Sequence, residues 1–204
     1  MGARLVRLGG VALGMAVLMT VLLGILYPLV MTGAAQTLFP DKADGSLVRL
    51  DGRVVGSTLV GQRFTSPAYF HTRPSATTPA DNPSATTFAN LGPNTQALKD
   101  AVDGYIADAL RLERPYTPGL RRKDLPVDML TTSGSGIDPA ISVANAEIQA
   151  NRIAAVRAVP LAAVRDLVHR NTDGRFAGFL GEPAVNVLTL NLDLDRLAGP
   201  PARA

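Results

Sequence analysis

Residues 8–31 read LGGVALGMAVLMTVLLGILYPLVM, a run without a charge in which Leu, Val, Gly and Met dominate. A stretch of this length spans a bilayer, which takes about 20 mainly apolar residues. Arg4 and Arg7 stand just before it, whereas the next ionisable groups beyond it, Asp41, Lys42 and Asp44, nearly cancel. The positive-inside bias therefore puts residues 1–7 in the cytoplasm and everything after residue 35 outside it. A cleaved secretory signal also begins with basic residues and ends in small ones, as Gly33, Ala34 and Ala35 do here. Its apolar region, however, is typically about 7–15 residues, so the length favours an uncleaved anchor.

Along this helix Gly10, Gly14, Val17, Val21, Gly24 and Pro28 recur at steps of four and three. Such a seam of small and β-branched residues lets a second helix approach closely, which makes Gly10 and Gly14 candidate contacts with a membrane partner. An ordinary lipid-facing anchor with scattered glycines fits the same residues, because Gly is common in membrane helices.

Beyond a linker at residues 32–44, residues 45–197 are enough for one domain with its own core, leaving a disordered tail at 198–204. The formal net charge is +3, and the basic residues are interleaved with acidic ones except at Arg121, Arg122 and Lys123. That pattern, with no Trp and no recognisable nucleic-acid motif, argues against a nucleic-acid partner. The absence of Cys excludes disulfides and thiolate chemistry.

Within the domain, Asp51-Gly52 separates two strand-like runs, Ser46 to Leu50 and Arg53 to Val55, which predicts a β-hairpin. Residues 66–93, rich in Pro, Ser, Thr, Ala and Asn, predict a long surface loop whose Tyr69, Phe70 and Arg73 either contact a partner or pin the loop to the core. Asn94 is the expected cap of a helix whose Leu98, Val102, Tyr105, Ala109 and Leu112 face the core. Further helices are expected over 143–158 and from Pro160 to about Asp173-Gly174. Leu188, Leu190, Leu192 and Leu194 alternate with polar or smaller residues, which predicts a C-terminal strand. The fold class is α+β: one transmembrane helix, then a compact soluble domain with an N-terminal hairpin, about three helices and a C-terminal strand.

Two stretches invite chemistry. Gly56 and Gly61 are spaced as in a phosphate-binding loop, but Gln62 and Arg63 stand where Lys and a hydroxyl residue are required. Residues 132–139, TSGSGIDP, put Ser133, Gly134, Ser135, Gly136 and Asp138 ahead of a helix, where free N–H groups hold an anion or where Asp138 simply caps the helix. A serine hydrolase is not indicated, because Ser133 and Ser135 each lack a flanking glycine of the Gly-x-Ser-x-Gly elbow. Two separated histidines, His71 and His169, do not make a zinc site. No catalytic or metal-binding residue is assigned.

Taken in order, several motifs resemble the C subunit of Kdp-type potassium-transporting ATPases. They are the anchor, Gly45-Ser46-Leu47-Val48, Gly56 to Phe64 with Gly61-Gln62, Tyr69-Phe70 with Arg73-Pro74-Ser75-Ala76, and Asn90-Leu91-Gly92-Pro93-Asn94. The TSGSGIDP run, Gln149 with Arg152, and Gly181-Glu182-Pro183 before Val185-Asn186-Val187-Leu188 complete the series. Thr86 to Ala89, Ala140 and Ala184 depart from residues usual in that family. The resemblance implies a noncatalytic subunit in a bacterial inner membrane, with a channel-like potassium-binding subunit, a P-type ATPase subunit and membrane lipid as partners. It also implies a catalytic-chaperone role, in which the glutamine matching Gln62 contacts ATP in a transient ternary complex and no cofactor is firmly bound. The charge reading puts Gln62 outside the cytoplasm, which favours instead a cap on the channel-like subunit, with the long loop and Gln62 making protein contacts and the helix seam docking the anchor; Tyr69, Phe70, Arg73, Ser133, Gly134, Ser135, Gly136 and Asp138 join Gly10 and Gly14 as candidate partner contacts. A membrane-anchored extracytoplasmic enzyme or binding protein unrelated to potassium is the alternative from a different class.

Overall fold

The computed structural model describes residues 2–201 and divides into two compact units that part between Leu47 and Val48. The first is dominated by a helical rod: α1 (Gly2–Met19), a π-helical stretch (Thr20–Leu26) and α2 (Tyr27–Leu38), none of whose residues is buried. The rod is apolar and long enough to cross a membrane. The π turn has a local cause. Pro28 has no N–H, and its ring crowds the carbonyl of Gly24 four residues back, so the Tyr27 N–H reaches the Leu22 carbonyl five back instead. The seam was spaced for a regular helix of 3.6 residues per turn, and that spacing does not carry past residue 20.

Residues 32–38, expected in a linker, continue the helix, because Thr32 to Leu38 hold no glycine beyond Gly33 and no proline before Pro40. Phe39 ends it, and α3 (Pro40–Ala43) follows.

The second unit opens with the expected hairpin, β1 (Leu47–Leu50) and β2 (Arg53–Ser57). Asp51 and Gly52 both take positive φ, 49° and 76°, the type I′ geometry that matches the right-handed twist of paired strands. Helices α4 (Gln96–Glu113), α5 (Val143–Arg157), α6 (Leu161–Arg170) and α7 (Val187–Ala198) follow. Three short strands, β3 (Ala140–Ser142), β4 (Thr172–Asp173) and β5 (Ala184–Asn186), form an antiparallel sheet in the order β3-β5-β4, with Val185 opposite both Ile141 and Thr172. Phe70, Ile141, Ala146, Ala150, Ile153, Val164, Leu167, Val168, Val185, Val187, Leu190 and Leu194 make the main core. A smaller cluster of Ile106, Leu120 and Leu125 lies against α4.

Four details differ from the expectation. The C-terminal strand is β5, and the leucine alternation after it is helix α7. Val187, Leu190, Asn191 and Leu194 recur at helical spacing and are buried, while Leu192 is half-buried. Leucine favours helices whereas strands favour β-branched residues, and Asn186 starts the helix by accepting the Thr189 N–H. Thr95, not Asn94, caps α4 through the Leu98 N–H. Ile106 and Glu113 are the buried positions of α4; Val102 and Ala109 pack against the smaller cluster as expected, while Tyr105 and Leu112 line a cleft. As for the tail, α7 runs to Ala198 and the Gly199 carbonyl accepts from Arg157, while residues 202–204 lie outside the described residues.

Candidate functional site

The long segment from residue 66 to 93 has no regular strand or helix, yet it is not a free excursion. Phe70 is fully buried, and Ala68 and Thr77 are buried too. Side-chain amides do the work of a neighbouring strand. Asn191 on α7 accepts the Phe70 N–H at 2.8 Å and donates to the Phe70 carbonyl at 2.9 Å. Gln149 on α5 treats His71 in the same way, at 2.8 and 3.1 Å. Both main-chain groups of two successive residues are thereby satisfied inside the protein, where an unpaired one is costly.

Arg152 lies beneath this loop with none of its side chain exposed. Its guanidinium donates to Glu113 Oε1 at 2.9 Å, to Gln149 Oε1 at 2.8 Å, to the Tyr69 carbonyl at 2.9 Å and to the Pro67 carbonyl. One planar fork thus ties α4, α5 and the loop together. The Glu113 carboxyl is pushed up by burial, with Arg152 opposing, and its Oε2 finds no hydrogen-bond partner among the described residues. A second basic clamp holds the loop start. Arg157 pairs with Asp195 at 2.9 Å and lies 5.5 Å from the Tyr69 ring centre, and the Tyr69 hydroxyl donates to Asp195 at 2.8 Å.

The serine–glycine segment is built into the same scaffold. Arg73 pairs with Asp138 at 3.2 Å and also donates to the Thr131 and Thr132 carbonyls. Ser133 Oγ accepts the Gly136 N–H at 2.8 Å, and Ser135 Oγ accepts the Ile137 N–H at 3.2 Å. Ser75 donates to the Gly136 carbonyl at 2.6 Å. Gly134 and Ser135 are exposed, whereas Ser133 and Gly136 are buried. Asp138, expected to cap a helix, accepts the Ala140 N–H instead, because β3 intervenes and Ser142 caps α5. Asp128 in turn accepts from Ser142 and Asn145.

Gln62 is half-buried and folded back: its Nε2 donates to the Val60 carbonyl at 3.2 Å, and its side chain packs over Gly56. The Gly61 N–H, which a phosphate-binding loop would leave free, donates to the Ile137 carbonyl at 2.7 Å. A Cβ at Gly61 would lie 2.8 Å from the Asp138 carbonyl oxygen, so glycine is required there by close backbone approach rather than by a ligand. Gly10 and Gly14 lie on the rod of the first unit with open space around them.

A cleft of about 680 Å³ opens beside this network, lined by Arg63, Phe64, His71, Tyr105, Leu112 and Glu113 among others. His71 Nε2 lies 2.9 Å from the Ser66 carbonyl, which requires the proton on that nitrogen. Burial, and then the Arg152 charge, pull the imidazole below its ordinary value of 6.5. A depressed imidazole opposes protonation in the folded state, so its contribution is fully present above pH 6.5 and is lost as the pH falls through the folded value. In chemical denaturation of the full chain in detergent, His71→Gln is expected to lessen the loss of stability that sets in as the pH falls below 6.5.

The signal that the sequence reading passed over is polar spacing. Asn145, Gln149 and Arg152 follow one another at steps of four and three on the same side of α5 as Ala146, Ala150 and Ile153, and all six are buried. Glu113 and Asn191 stand on buried faces of α4 and α7 in the same manner.

The chain is similar over most of its length to a single family. A family model described as KdpC: K+-transporting ATPase, c chain matches residues 10–196. Potassium-transporting ATPase KdpC subunits resemble it closely: that of Koribacter versatilis is 50% identical over 89% of this chain and 90% of its own length. Those of Sorangium cellulosum and Methylorubrum extorquens are 51% and 48% identical, over 90% and 92% of this chain and 95% and 96% of theirs.

Proposed function

The chain belongs to the KdpC family, the c chains of K+-transporting ATPases, and from that premise we propose that it is a noncatalytic accessory subunit of an ATP-driven potassium uptake assembly. It crosses the cell membrane once, keeps its N-terminus in the cytoplasm and caps the channel-like, potassium-selective subunit from outside. The observation that carries this reading is the apolar rod from Gly2 to Leu38, none of whose residues is buried, with Arg4 and Arg7 at its start. With that orientation the second unit, Gln62 included, lies away from cytoplasmic ATP.

The geometry around Gln62 supports the same choice. Its amide nitrogen is bonded to Val60, and the neighbouring Gly61 N–H is bonded to Ile137. A chaperone effect on nucleotide affinity is then transmitted through a conformational equilibrium shared with the P-type ATPase subunit, and ATP is not held by this chain. The second unit, with its loop clamped by Asn191, Gln149 and Arg152, supplies a preformed surface for the channel-like subunit.

Deletion of the gene from a host with no other high-affinity potassium uptake is expected to abolish growth at micromolar potassium, with recovery from a plasmid copy. Unimpaired growth of the deletion strain would instead favour an anchored extracytoplasmic protein unrelated to potassium.

A further inference from the structure

The hairpin of β1 and β2 has no buried residue. Leu47 and Leu50 are each 45% exposed, Val54 50% and Val55 38%. Only the base is held: Gly56 lies against Leu188 and Gln62, and Asn186 donates to the Thr58 carbonyl at 2.8 Å. A two-stranded sheet with neither face covered is marginal in water, so this one calls for a covering surface. Arg49 and Arg53 are exposed on the same two strands and make no ion pair among the described residues. A recess on a protein that took up the leucines and valines would desolvate these guanidinium groups as well, and would need acidic partners for them. A phospholipid interface accepts both kinds of side chain, the apolar ones at the acyl boundary and the guanidinium groups on phosphate.

The connection to the apolar rod fixes where the hairpin begins. Gln36 lies 28 residues beyond Leu8. At about 1.5 Å per residue that is about 42 Å of helix, which reaches the headgroup level of a bilayer about 40–45 Å thick overall. Gln36 Nε2 donates to Asp44 Oδ1 at 3.0 Å, and the Ser46 N–H donates to the Asp41 carbonyl at 2.8 Å, so the chain turns back on the end of the rod rather than leading away from it. Exposed Phe39, with Lys42 Nζ 6.0 Å from its ring centre, supplies an aromatic and a cation at the same level, as membrane interfaces favour. Leu47 follows Asp44 after three steps of chain, at most about 11 Å. From this we infer that the hairpin lies on the bilayer the rod crosses, at the end where the rod leaves it, with Leu47, Leu50, Val54 and Val55 in the interface and Arg49 and Arg53 on lipid phosphates. The inference rests on the proposed single crossing and adds to it the part of the second unit that touches lipid.

The test uses the full chain, reconstituted with the other ATPase chains in vesicles of phosphatidylethanolamine and phosphatidylglycerol. A single cysteine, Val54→Cys, carries an environment-sensitive nitrobenzoxadiazole dye. Lipids with a nitroxide high on the acyl chain are expected to quench this dye about threefold more strongly than the same dye at exposed Lys123→Cys. Quenching no stronger than at Lys123, whether the dye reports water or a dry protein contact, would overturn the inference while leaving the membrane crossing standing. Release of the unlabelled chain from the vesicles by alkaline carbonate would overturn both. Arg49→Gln with Arg53→Gln, in a chain with an unchanged circular dichroism spectrum, is expected to cut the quenching at Val54→Cys by about half. Unchanged quenching would contradict the placing of these arginines on phosphate.

Discussion

Replacing Arg152 with Met is expected to destabilise the second unit by about 4 kcal/mol, the usual cost of breaking a buried ion pair from one side. That is a large share of the 5–15 kcal/mol by which domains are typically stable. Methionine fills part of the volume but donates to nothing. Glu113, with 1% of its side chain exposed, would lose the partner that holds its carboxylate among the described residues, and the Pro67 and Tyr69 carbonyls and Gln149 Oε1 would each lose a donor. Urea denaturation of the full chain in detergent, followed by far-UV circular dichroism, measures the loss. Adding Glu113→Gln removes the stranded charge and is expected to recover part of it, because the neutral amide costs less to bury. A loss below about 1 kcal/mol for Arg152→Met would mean that the buried pair does not hold the loop.

The second large effect is expected at Gly136. Its φ is +74°, and a Cβ there would lie 2.6 Å from the Thr87 carbonyl oxygen and 2.7 Å from Thr77 Cγ2. Gly136→Ala combines left-handed strain with a clash against backbone, for a loss of about 3 kcal/mol. The segment from Ser75 to Thr87 folds over this glycine and is tied to it through Ser75, so it is expected to become the preferred site of limited proteolysis. Gly134, two residues earlier, is an internal control: nothing lies within 4 Å of its added Cβ. Gly134→Ala is expected to change stability by less than about 0.5 kcal/mol.

The sequence was most legible where the physics is local. The apolar run gave the rod, Asp51-Gly52 gave the hairpin turn, and the helix over 143–158 agrees with α5 and its cap to within a residue. It was least legible where two periods fit one set of residues. The leucines from 188 to 194 satisfy a two-residue alternation, but with Val187 and Asn191 they equally satisfy the helical one, and burial of Val187, Leu190 and Leu194 in the main core goes with the helix. The clamp residues illustrate a different gap. Gln149 and Arg152 enter the sequence reading only through the family resemblance, and what makes them a core feature is a loop some eighty residues earlier whose backbone they satisfy, with Asn145 accepting from Gln149 beside them. Their spacing puts them on the buried side of α5, but it does not say which distant backbone they satisfy. Of the candidate contact residues, Phe70, Arg73, Ser133 and Asp138 are bound up in holding this shape, and Gly134 and Ser135 face solvent.

The central claim is that the second unit lies outside the cytoplasm, and sidedness tests it most directly. The chain has no Cys, so a single cysteine at the exposed position of Lys123, Lys123→Cys, reports on that unit alone. Intact cells are treated with a charged maleimide that cannot pass the cytoplasmic membrane. Labelling equal to that in lysed cells is the predicted result. Labelling that appears only after lysis would place Gln62 beside cytoplasmic ATP and contradict the external cap.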